Sequence, residues 1–523
     1  MAKIQIPTRF IRIASQTGFF SLWTLLLLAT HHPIDSAITQ WIPVSFFLRI
    51  DPLVLTFVTG SLRMGITVLM LGAVTLIVSL LLGRVFCGWV CPLGSLFDFQ
   101  GWIQRRLRIP FEGPSPSYFR AKYYLLAMIL IFAIIGVGQP LMGLDPIVLL
   151  TRSVATLIEP LSRSSQGASD LFQKISYQGR LFDGATLLLF LLIIGGTTRL
   201  SRIWCRVACP LGAYLATLSR FSVLKRETQD CVRCGICVKH CPTGAITPGK
   251  PEEYTESECI KCFSCSDDCP VDANFFTLKN PIPVITDASR PVELERRQFV
   301  GSLSAAVALT PALKLSGGDP GRSRLLIRPP HSREESQFLS ACIRCGECMK
   351  ACPTGVLKPA GLEHGLRALW TPVMTPQAAS CDPSCNACSV ACPTTAIQPY
   401  AIEDKFLVKS GTAVLNSSLC IAHTENKYCN ECVRACPTQA FEIQEGWKPE
   451  TTVDQGADIP APEGLTSKRP VHVSFDRCIG CGACEQACSS IVYGTTALLT
   501  TSVGRGVRSS LPSKPSEPET ASD

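Results

Sequence analysis

Four long apolar runs dominate the N-terminal part of the chain. They cover residues 13–30, 64–83, 123–140 and 185–198. Each approaches the roughly 20 residues that an α-helix needs to cross the hydrocarbon layer of a bilayer. The fourth reaches that length only with Leu181 and Phe182 before it. The pattern predicts a membrane protein with a bundle of four spanning helices.

Basic residues gather at alternate ends of these runs. Lys3, Arg9 and Arg12 precede the first run. Further basic residues follow the second and the fourth runs, while residues 141–183 balance four basic side chains against four acidic ones. Since cytoplasmic ends carry the excess of Lys and Arg, we expect both ends of the bundle to face the cytoplasm.

The sequence of the predicted bundle indicates an internal duplication. Asp51-Pro52 and Asp145-Pro146 each begin a D-P-[LI]-V-L segment before the second and fourth runs. Each of these runs is followed by C-x3-C-P-L-G, which contributes Cys87, Cys91, Cys205 and Cys209. Two parallel repeats can be related by an axis along the membrane normal, which would bring the two pairs face to face. One hypothesis is a shared four-cysteine metal site, and the alternative is buried thiols that merely pack.

A double cysteine motif follows the bundle. Its spacing is that of bacterial ferredoxins, in which the fourth cysteine of each run binds the cluster of the other run. This predicts an α+β ferredoxin-like domain with one [4Fe–4S] cluster on Cys231, Cys234, Cys237 and Cys269, and a second on Cys259, Cys262, Cys265 and Cys241.

A fifth, weaker apolar run lies in the middle of the chain. Arg296-Arg297 and Phe299 precede an uncharged, Ala-rich segment of about sixteen residues. These features are typical of a twin-arginine signal, which the Tat machinery uses to export folded proteins. We expect this segment to remain as a fifth span, so that the rest of the chain is periplasmic. A buried helix in a soluble domain is the alternative.

Four more cysteine motifs follow, and we expect each to bind a [4Fe–4S] cluster. They are Cys342, Cys345, Cys348 and Cys352; Cys381, Cys385, Cys388 and Cys392; Cys420, Cys429, Cys432 and Cys436; and Cys478, Cys481, Cys484 and Cys488. The second and third are irregular, with x3 and x8 as their first spacings. Consecutive and nested exchange of the fourth cysteines both fit. We favour nesting, which would join the two regular motifs and the two irregular ones.

The predicted organisation has five parts. They are a membrane domain at 1–226, a cytoplasmic two-cluster domain at 227–285, a signal or anchor span at 293–316, a periplasmic four-cluster domain at 336–500 and a disordered tail at 505–523. Within the fourth part, the Pro- and acid-rich residues 449–470 are expected to form a loop.

The composition argues against several classes of function. All 28 cysteines fall into these motifs, a pattern that neither a disulfide framework nor a zinc ribbon requires. The net charge is +8, but the basic residues flank apolar runs instead of forming one patch, which argues against nucleic-acid binding. The sequence contains no P-loop, and no G-x-G-x-x-G follows a strand.

Two families resemble these halves. Residues 1 to about 280 are similar to the NapH membrane polyferredoxins and the wider NosR group, through C-G-W-V-C-P-L-G, W-C-R-V-A-C-P-L-G and the double motif. Residues 293 to about 500 resemble NapG and MauM, through R-R-Q-F-V, I-R-P-P and the first and last motifs of this part. The chain therefore looks like a NapH–NapG fusion, although the Cys381-x3-Cys385 spacing departs from the pattern.

This resemblance implies an electron-transfer component of the bacterial inner membrane, and at most a quinol-oxidising subunit. Electrons would pass from the membrane quinone pool to a periplasmic redox partner of a nitrate-reductase-type system. The alternative is an assembly factor that supplies electrons for cofactor or metal insertion. His31 and His32, or Asp51 and Asp145, are proposed to accept the quinol protons; capping is the simpler role of the two acids.

Overall fold

The computed structural model describes residues 8–29, 42–62, 69–108, 119–135, 139–162, 180–278, 294–315, 326–449, 451–454, 457–460, 467–491 and 497–507. His31 and His32 lie outside this set. The chain divides into two compact units. The first comprises residues 1–30, 35–314 and 340–345, and the second comprises 31–34, 315–339 and 346–523.

The first unit is mainly helical. Its helices are α1 (Thr8–Ala29), α2 (Phe46–Arg49), α3 (Pro52–Leu62), α4 (Met70–Leu82), α5 (Val85–Trp89), α6 (Pro92–Arg106), α7 (Ala121–Ile135), α8 (Pro146–Ser162), α9 (Arg180–Thr197), α10 (Ile203–Val207), α11 (Pro210–Ser219), α12 (Ile236–His240), α13 (Ser264–Asp267) and α14 (Arg296–Leu315), with 3-10 turns at Gln139–Leu144 and Glu256–Glu258. Strands β1 (Leu224–Thr228) and β2 (Asn274–Leu278) pair antiparallel, with Leu224 opposite Leu278.

Proline at the first helical position explains where four of these helices begin. Pro52, Pro92, Pro146 and Pro210 each open a helix, a position at which the missing N–H costs no hydrogen bond. The repeated Asp-Pro and Cys-Pro pairs are thus helix starts in both halves. The duplication seen in the sequence is therefore present in the helices themselves.

Only part of the predicted bundle meets the usual criteria for membrane spans. Among the described residues, Thr8–Ala29 is the single helix that is both long and apolar enough to cross a bilayer. Pro52–Leu62, Met70–Leu82, Ala121–Ile135 and Thr186–Thr197 are apolar but shorter. The predicted fifth span forms the helix Arg296–Leu315, with Pro311 inside it. The bundle of four spans plus one remains a prediction.

The second unit combines short helices with paired strands. Its helices are α15 (Glu335–Ala341, whose last two residues belong to the first unit), α16 (Glu347–Lys350), α17 (Ala387–Ala391), α18 (Ile421–Thr424), α19 (Glu431–Arg434) and α20 (Ala483–Ile491), with 3-10 turns at Leu362–His364, Ile402–Leu407 and Ser417–Leu419. Its strands are β3 (Leu357–Pro359), β4 (Pro372–Met374), β5 (Thr412–Leu415), β6 (Phe441–Trp447), β7 (Thr451–Asp454), β8 (Ala457–Pro460), β9 (Ser467–Val473) and β10 (Leu498–Thr501). The antiparallel pairs are β3–β4, β5–β10, β6–β9 and β7–β8.

Two expectations about the second unit are wrong. Residues 449–470 are not simply a loop, because β7, β8 and the start of β9 lie there. The tail does not begin at Arg505. That side chain donates to the backbone oxygen of Arg333 at 2.7 Å and pairs with Glu335, and the N–H of Lys409 bonds Val507. Buried ionic contacts hold this segment onto the unit.

Candidate functional site: cysteine sites in two units

The regular cysteine motifs share one backbone conformation. In each C-x2-C-x2-C loop, the residues before and after the second cysteine have positive φ. These pairs are Arg233 and Gly235, Lys261 and Phe263, Arg344 and Gly346, and Gly480 and Gly482. Alternation between right- and left-handed residues turns successive N–H groups toward one side of the loop, which suits an anionic cluster. A left-handed conformation at Arg, Lys and Phe is costly by itself, so its repetition marks these loops as built for a ligand.

The first unit brings together two sets of four cysteines. Cys231, Cys234, Cys237 and Cys269 line one small void, and Cys241, Cys259, Cys262 and Cys265 line a second. In both sets the fourth cysteine comes from the other motif, as a two-cluster ferredoxin requires. The N–H of Ala245 approaches the Cys241 sulfur at 3.3 Å, and the N–H of Ala273 approaches Cys269 at 3.2 Å. These voids and N–H···S contacts fit [4Fe–4S] clusters.

The thiol environments are set by burial and by these amides. Burial raises the pKa of Cys259 to about 11. Burial alone would also raise the pKa of Cys269, but the backbone N–H groups of Val271 and Ala273 lower it below its usual value. Because cluster ligands are thiolates, binding to such buried thiols must release protons.

In the second unit, the third and fourth motifs exchange their last cysteines. Cys436 lines a void with Cys478, Cys481 and Cys484. Cys488 acts electrostatically on Cys420, Cys429 and Cys432, and it packs with Cys420 and Cys429. These two motifs are consecutive in sequence, one irregular and one regular.

The second motif is likewise paired with a motif next to it in the sequence. Cys352, the last cysteine of the preceding motif, lies within electrostatic range of Cys381, Cys385 and Cys388. Cys342, Cys345 and Cys348 are buried, as is Cys392. The favoured nested pairing is therefore wrong, and exchange runs between consecutive motifs. Nesting relied on spacing regularity, whereas the packing of each fourth cysteine decides the partner.

The irregular motifs use a different loop. Asn386 and Asn430 precede the helices α17 and α19 with φ of −124° and −134°, and neither motif contains the paired left-handed residues. The N–H of Cys381 donates to the carbonyl of Cys481 at 2.9 Å. This hydrogen bond connects the second motif to the fourth, and so joins one exchanged pair to the other.

The four cysteines of the C-x3-C motifs are all buried within the first unit. Cys87 acts electrostatically on Cys91, Cys205 and Cys209, which shows that both halves contribute to one cluster of thiols. Burial raises the pKa of Cys91, Cys205 and Cys209, and the neighbouring Cys87 adds to this effect. The two sequence repeats therefore meet at these cysteines.

The second cysteine of each C-x3-C pair stands at the N-cap position of a helix. The N–H of Gly212 donates to the Cys209 sulfur at 3.1 Å, and the backbone N–H of Gly94 opposes the rise that burial causes in the pKa of Cys91. Sulfurs at the N-termini of α6 and α11 meet the positive ends of both helices. This position opposes part of the rise in pKa that burial causes in both thiols.

Two arginines cross between the halves. Arg84 and Arg202 each stand three residues before the first cysteine of their motif. Arg202 donates to the carbonyls of Cys87 at 3.2 Å and Gly94 at 3.1 Å, both in the opposite half. Arg84 reaches the opposite glycine, and a Cβ on Gly212 would lie 3.0 Å from its Nη2.

The surroundings of Arg84 indicate whether an anionic cofactor fits among the four cysteines of the C-x3-C motifs. Its Nε and Nη2 are buried without a hydrogen-bond partner among the described residues, and Cys87 and Cys209 lie within its electrostatic range. Buried N–H groups without an acceptor are costly, and a negatively charged cluster on four thiolates would supply acceptors for these two. The residues fit an anionic metal or iron–sulfur centre. No three His, Cys, Asp or Glu side chains in the described parts of the chain are already arranged around a single ion.

The second ferredoxin loop rests directly on this site. Trp89 donates from Nε1 to the Lys261 carbonyl at 2.9 Å, and a Cβ on Gly88 would lie only 2.6 Å from the Ile260 oxygen. Both contacted residues lie between Cys259 and Cys262. The glycine within C-G-W-V-C thus permits close approach of two cysteine sites.

Several functional residues were missed from the sequence. Glu258 binds Arg84, Lys122 and Tyr123 beside Cys259, and all four side chains are buried. Arg202 and Arg12 pair with Asp98. The repeated pattern R-x-x-C-x3-C could have identified Arg84 and Arg202, since the same basic residue precedes both motifs at the same distance.

The Asp-Pro acids take part in a different contact. Each accepts two backbone N–H bonds through Oδ1, Asp51 from Leu53 and Val54 and Asp145 from its own helix start. They therefore cap α3 and α8, as expected of a capping role. Both are fully buried, and their carboxyl groups face each other.

Comparison with known proteins agrees with the cysteine chemistry. A domain described as a 4Fe-4S binding domain matches residues 64–110 and 182–229, which contain the two C-x3-C motifs, and another with the same description matches 338–358. Domains described as 4Fe-4S dicluster domains match residues 223–270 and 427–492. The second dicluster match covers most of the consecutive third and fourth motifs. The chain is thus a multi-domain [4Fe–4S] protein.

Known proteins resemble parts of this chain. Over 203 residues the chain is 29% identical to the ferredoxin-type protein NapH of Escherichia coli, covering 37% of this chain and 60% of NapH. It is 29% identical over 163 residues to the methylamine utilization ferredoxin-type protein MauN of Methylobacillus flagellatus, covering 31% of this chain and 48% of MauN. The chain spans about half or less of the length of the first such relatives. No solved structure matches.

The chain covers a larger share of the ferredoxin-type protein NapG of Escherichia coli than of NapH. The chain is 30% identical to it over 192 residues, which make up 37% of this chain and 78% of NapG. The resemblance expected from the sequence is confirmed. The chain belongs to the NapG family of ferredoxin-type proteins and combines that part with a NapH-like iron–sulfur part in one polypeptide.

Proposed function

We propose that the chain is a membrane-bound relay that carries electrons from membrane quinol to a redox partner on the periplasmic side. The observation that carries this proposal is the exchange of fourth cysteines between consecutive motifs. Exchange holds two cluster sites side by side, and repeated pairs of sites suit passage of single electrons. Six [4Fe–4S] clusters would occupy the six motifs of four cysteines.

The four buried cysteines of the C-x3-C motifs add a seventh site. We assign Cys87, Cys91, Cys205 and Cys209 to one shared iron–sulfur or metal centre. Its support is the convergence of both halves, the capping sulfur of Cys209 and the Nε and Nη2 atoms of Arg84, which have no hydrogen-bond partner among the described residues. Its position beside Ile260 and Lys261 would connect the membrane helices to the second cluster site.

Exposed apolar faces support membrane insertion of the first unit. On α4, Val74 and Ile77 are more than half exposed, and on α9 so are Leu188 and Leu192. A contiguous apolar surface of this kind is costly in water and favourable against lipid. In this scheme residues 227–285 face the cytoplasm, the Tat machinery exports residues 336–500, and helix α14 remains as the anchor.

The first experiment measures reduction by quinol. The full chain, purified without oxygen, should contain about 24 iron atoms plus those of the seventh site, since each cubane holds four. A reduced quinone analogue should bleach the iron–sulfur absorbance. Clusters that dithionite reduces but no quinol analogue does would contradict the donor assignment.

The second experiment tests direction. Protease added outside spheroplasts should digest residues 336–500 and spare 227–285. Cleavage of both regions from the same side would contradict the scheme. Deleting the gene should leave the periplasmic partner complete but unreduced, and a partner that lacks its own cofactor would indicate the assembly role instead.

A further inference from the structure

A large cavity lies within the first unit, beside the second cluster site. Its volume is about 770 Å³, and its walls come from α1, α6 and the ferredoxin segments that contain His240 and Ser264. Pro242 and Ser264 in this wall directly neighbour Cys241 and Cys265. A ligand in the cavity would therefore lie next to the cysteines that form that site.

Three aromatic side chains line the cavity. Phe20, Phe99 and Trp102 line it, and the rings of Phe99 and Trp102 stack with centroids 6.0 Å apart. Phe99 and Trp102 are 59% and 55% exposed. Exposed tryptophan rings beside apolar helices are typical of the membrane–water interface. These aromatic residues suit a flat ring with an apolar tail that enters from lipid.

The charged residues that line the cavity are balanced in sign. Three arginines (Arg9, Arg12 and Arg105) and three aspartates (Asp98, Asp267 and Asp268) line the cavity. Arg12 pairs with Asp98, and His240 bonds Asp268 at 2.7 Å. Arg12 also donates to Ser264 at 3.3 Å. A phosphate group would meet as many negative as positive side chains, so a neutral headgroup with hydrogen-bonding oxygens fits better.

We propose that this cavity binds the headgroup of a membrane quinone or quinol. The assignment rests on the proposed function and adds its site, at the second cluster of the NapH-like part. Cavities of 300–1,000 Å³ with aromatic walls and a few polar groups are the usual size and chemistry of such ligand sites.

The test uses two tryptophan substitutions on consecutive residues of α1. Thr17 lines the cavity, and its hydroxyl bonds only carbonyls of its own helix, so Thr17→Trp should fill the space with little other disturbance. Gly18 is outside the cavity lining, and a Cβ there meets nothing within 4 Å. Gly18→Trp is the matched control.

The probe is 2-heptyl-4-hydroxyquinoline N-oxide, a quinone analogue whose fluorescence is quenched on binding. Titrated into the full chain in lipid nanodiscs, it should bind the wild type and Gly18→Trp alike, and Thr17→Trp at least about tenfold more weakly, a loss of about 1.4 kcal/mol. Decylubiquinone should displace it. Iron content and dithionite-reduced spectra should match in all three proteins.

The possible outcomes distinguish failure of the proposed quinone site from failure of the proposed relay function. Reduction of the wild type and Thr17→Trp by quinol at equal rates, with equal probe affinity, overturns the site and leaves the relay intact. A wild type that neither binds the probe nor accepts electrons from quinol overturns both. Displacement by phosphatidylglycerol but not by decylubiquinone assigns the cavity to an anionic lipid and overturns the quinone assignment.

Discussion

Arg84 donates to Glu258 at 3.1 Å, and both side chains are about 1% exposed. Glu258 also binds Lys122 and accepts from Tyr123 at 3.0 Å. Arg84 and Lys122 come from the helical part, whereas Glu258 precedes the first cysteine of the second cluster motif. One carboxylate thus joins the NapH-like helices to the ferredoxin domain.

Glu258→Ala should release this connection. It would leave two cations buried without their partner, which typically costs about 3–5 kcal/mol. We expect the variant to lose its iron–sulfur absorbance at a clearly lower temperature during thermal unfolding. Glu252→Ala is the control, because Glu252 pairs with the largely exposed Arg233. Equal melting of both variants would contradict a structural role for Glu258.

Gly88→Ala should disturb the same junction without changing charge. The added methyl group would lie 2.6 Å from the Ile260 backbone oxygen, so the ferredoxin loop must move away. We expect slower transfer of electrons from quinol to the clusters and easier proteolysis near residue 260. Gly60→Ala is the matched control, since its Cβ meets no atom within 4 Å. The idea fails if the two variants behave alike.

Iron analysis can test whether the cysteines of the two C-x3-C motifs bind one shared centre. Cys87→Ser with Cys205→Ser removes one ligand from each half, and we expect loss of one spectroscopic centre with the other clusters retained. Cys231→Ser serves as the comparison, because it should alter a cubane of the ferredoxin domain instead. An unchanged iron content and spectrum in the Cys87 and Cys205 double variant would leave packing as the role of these thiols.

Pairing in the second unit can be tested by combining substitutions. Cys436 and Cys481 line the same void, so Cys436→Ser with Cys481→Ser should impair one cluster, about four irons. Cys436→Ser with Cys388→Ser should impair two clusters, about eight irons. Nested exchange predicts the reverse order. Iron content and the intensity of the reduced electron paramagnetic resonance signal would decide between them.

The facing carboxyl groups of Asp51 and Asp145 should share a proton. Their Oδ2 atoms have no donor among the described residues, and two adjacent buried carboxylates cannot both be ionised. Infrared spectra near pH 7 should therefore contain a protonated carboxyl band that disappears in Asp51→Asn.

Asp98→Asn is the control for that band. Burial alone would raise the pKa of Asp98, but the guanidinium groups of Arg202 and Arg12 lower it below its usual value. This carboxylate stays ionised at neutral pH and contributes no such band. Persistence of the band in both Asp51→Asn and Asp145→Asn would contradict the shared proton.

Sequence reasoning succeeded where chemistry depends on local spacing. The exchange of Cys241 and Cys269 followed from the regular ferredoxin run, and the structure places both as expected. It failed for Cys436 and Cys488, because their partners depend on how distant loops pack. An extra residue near Cys381 changes the local loop but does not reveal its neighbour.

Long-range polar contacts were equally hidden. Glu258 reads as an ordinary surface acid beside Cys259, and only the fold brings Lys122 to it. Asp51 and Asp145 were recognised as a repeated pair, but their mutual contact depends on the packing of α3 and α8. Burial and partnership of charged groups are properties of the assembled chain.

The crossed arginines have a consequence for how such a protein can vary. Arg202 uses carbonyls supplied by the first repeat, and Arg84 occupies space that only glycine at position 212 leaves open in the second. Neither repeat is self-sufficient, so the pair behaves like a dimer whose subunits happen to be tethered. A substitution in one copy obliges a compensating change in the other, and separating the copies onto two genes would require both products to meet before either could mature.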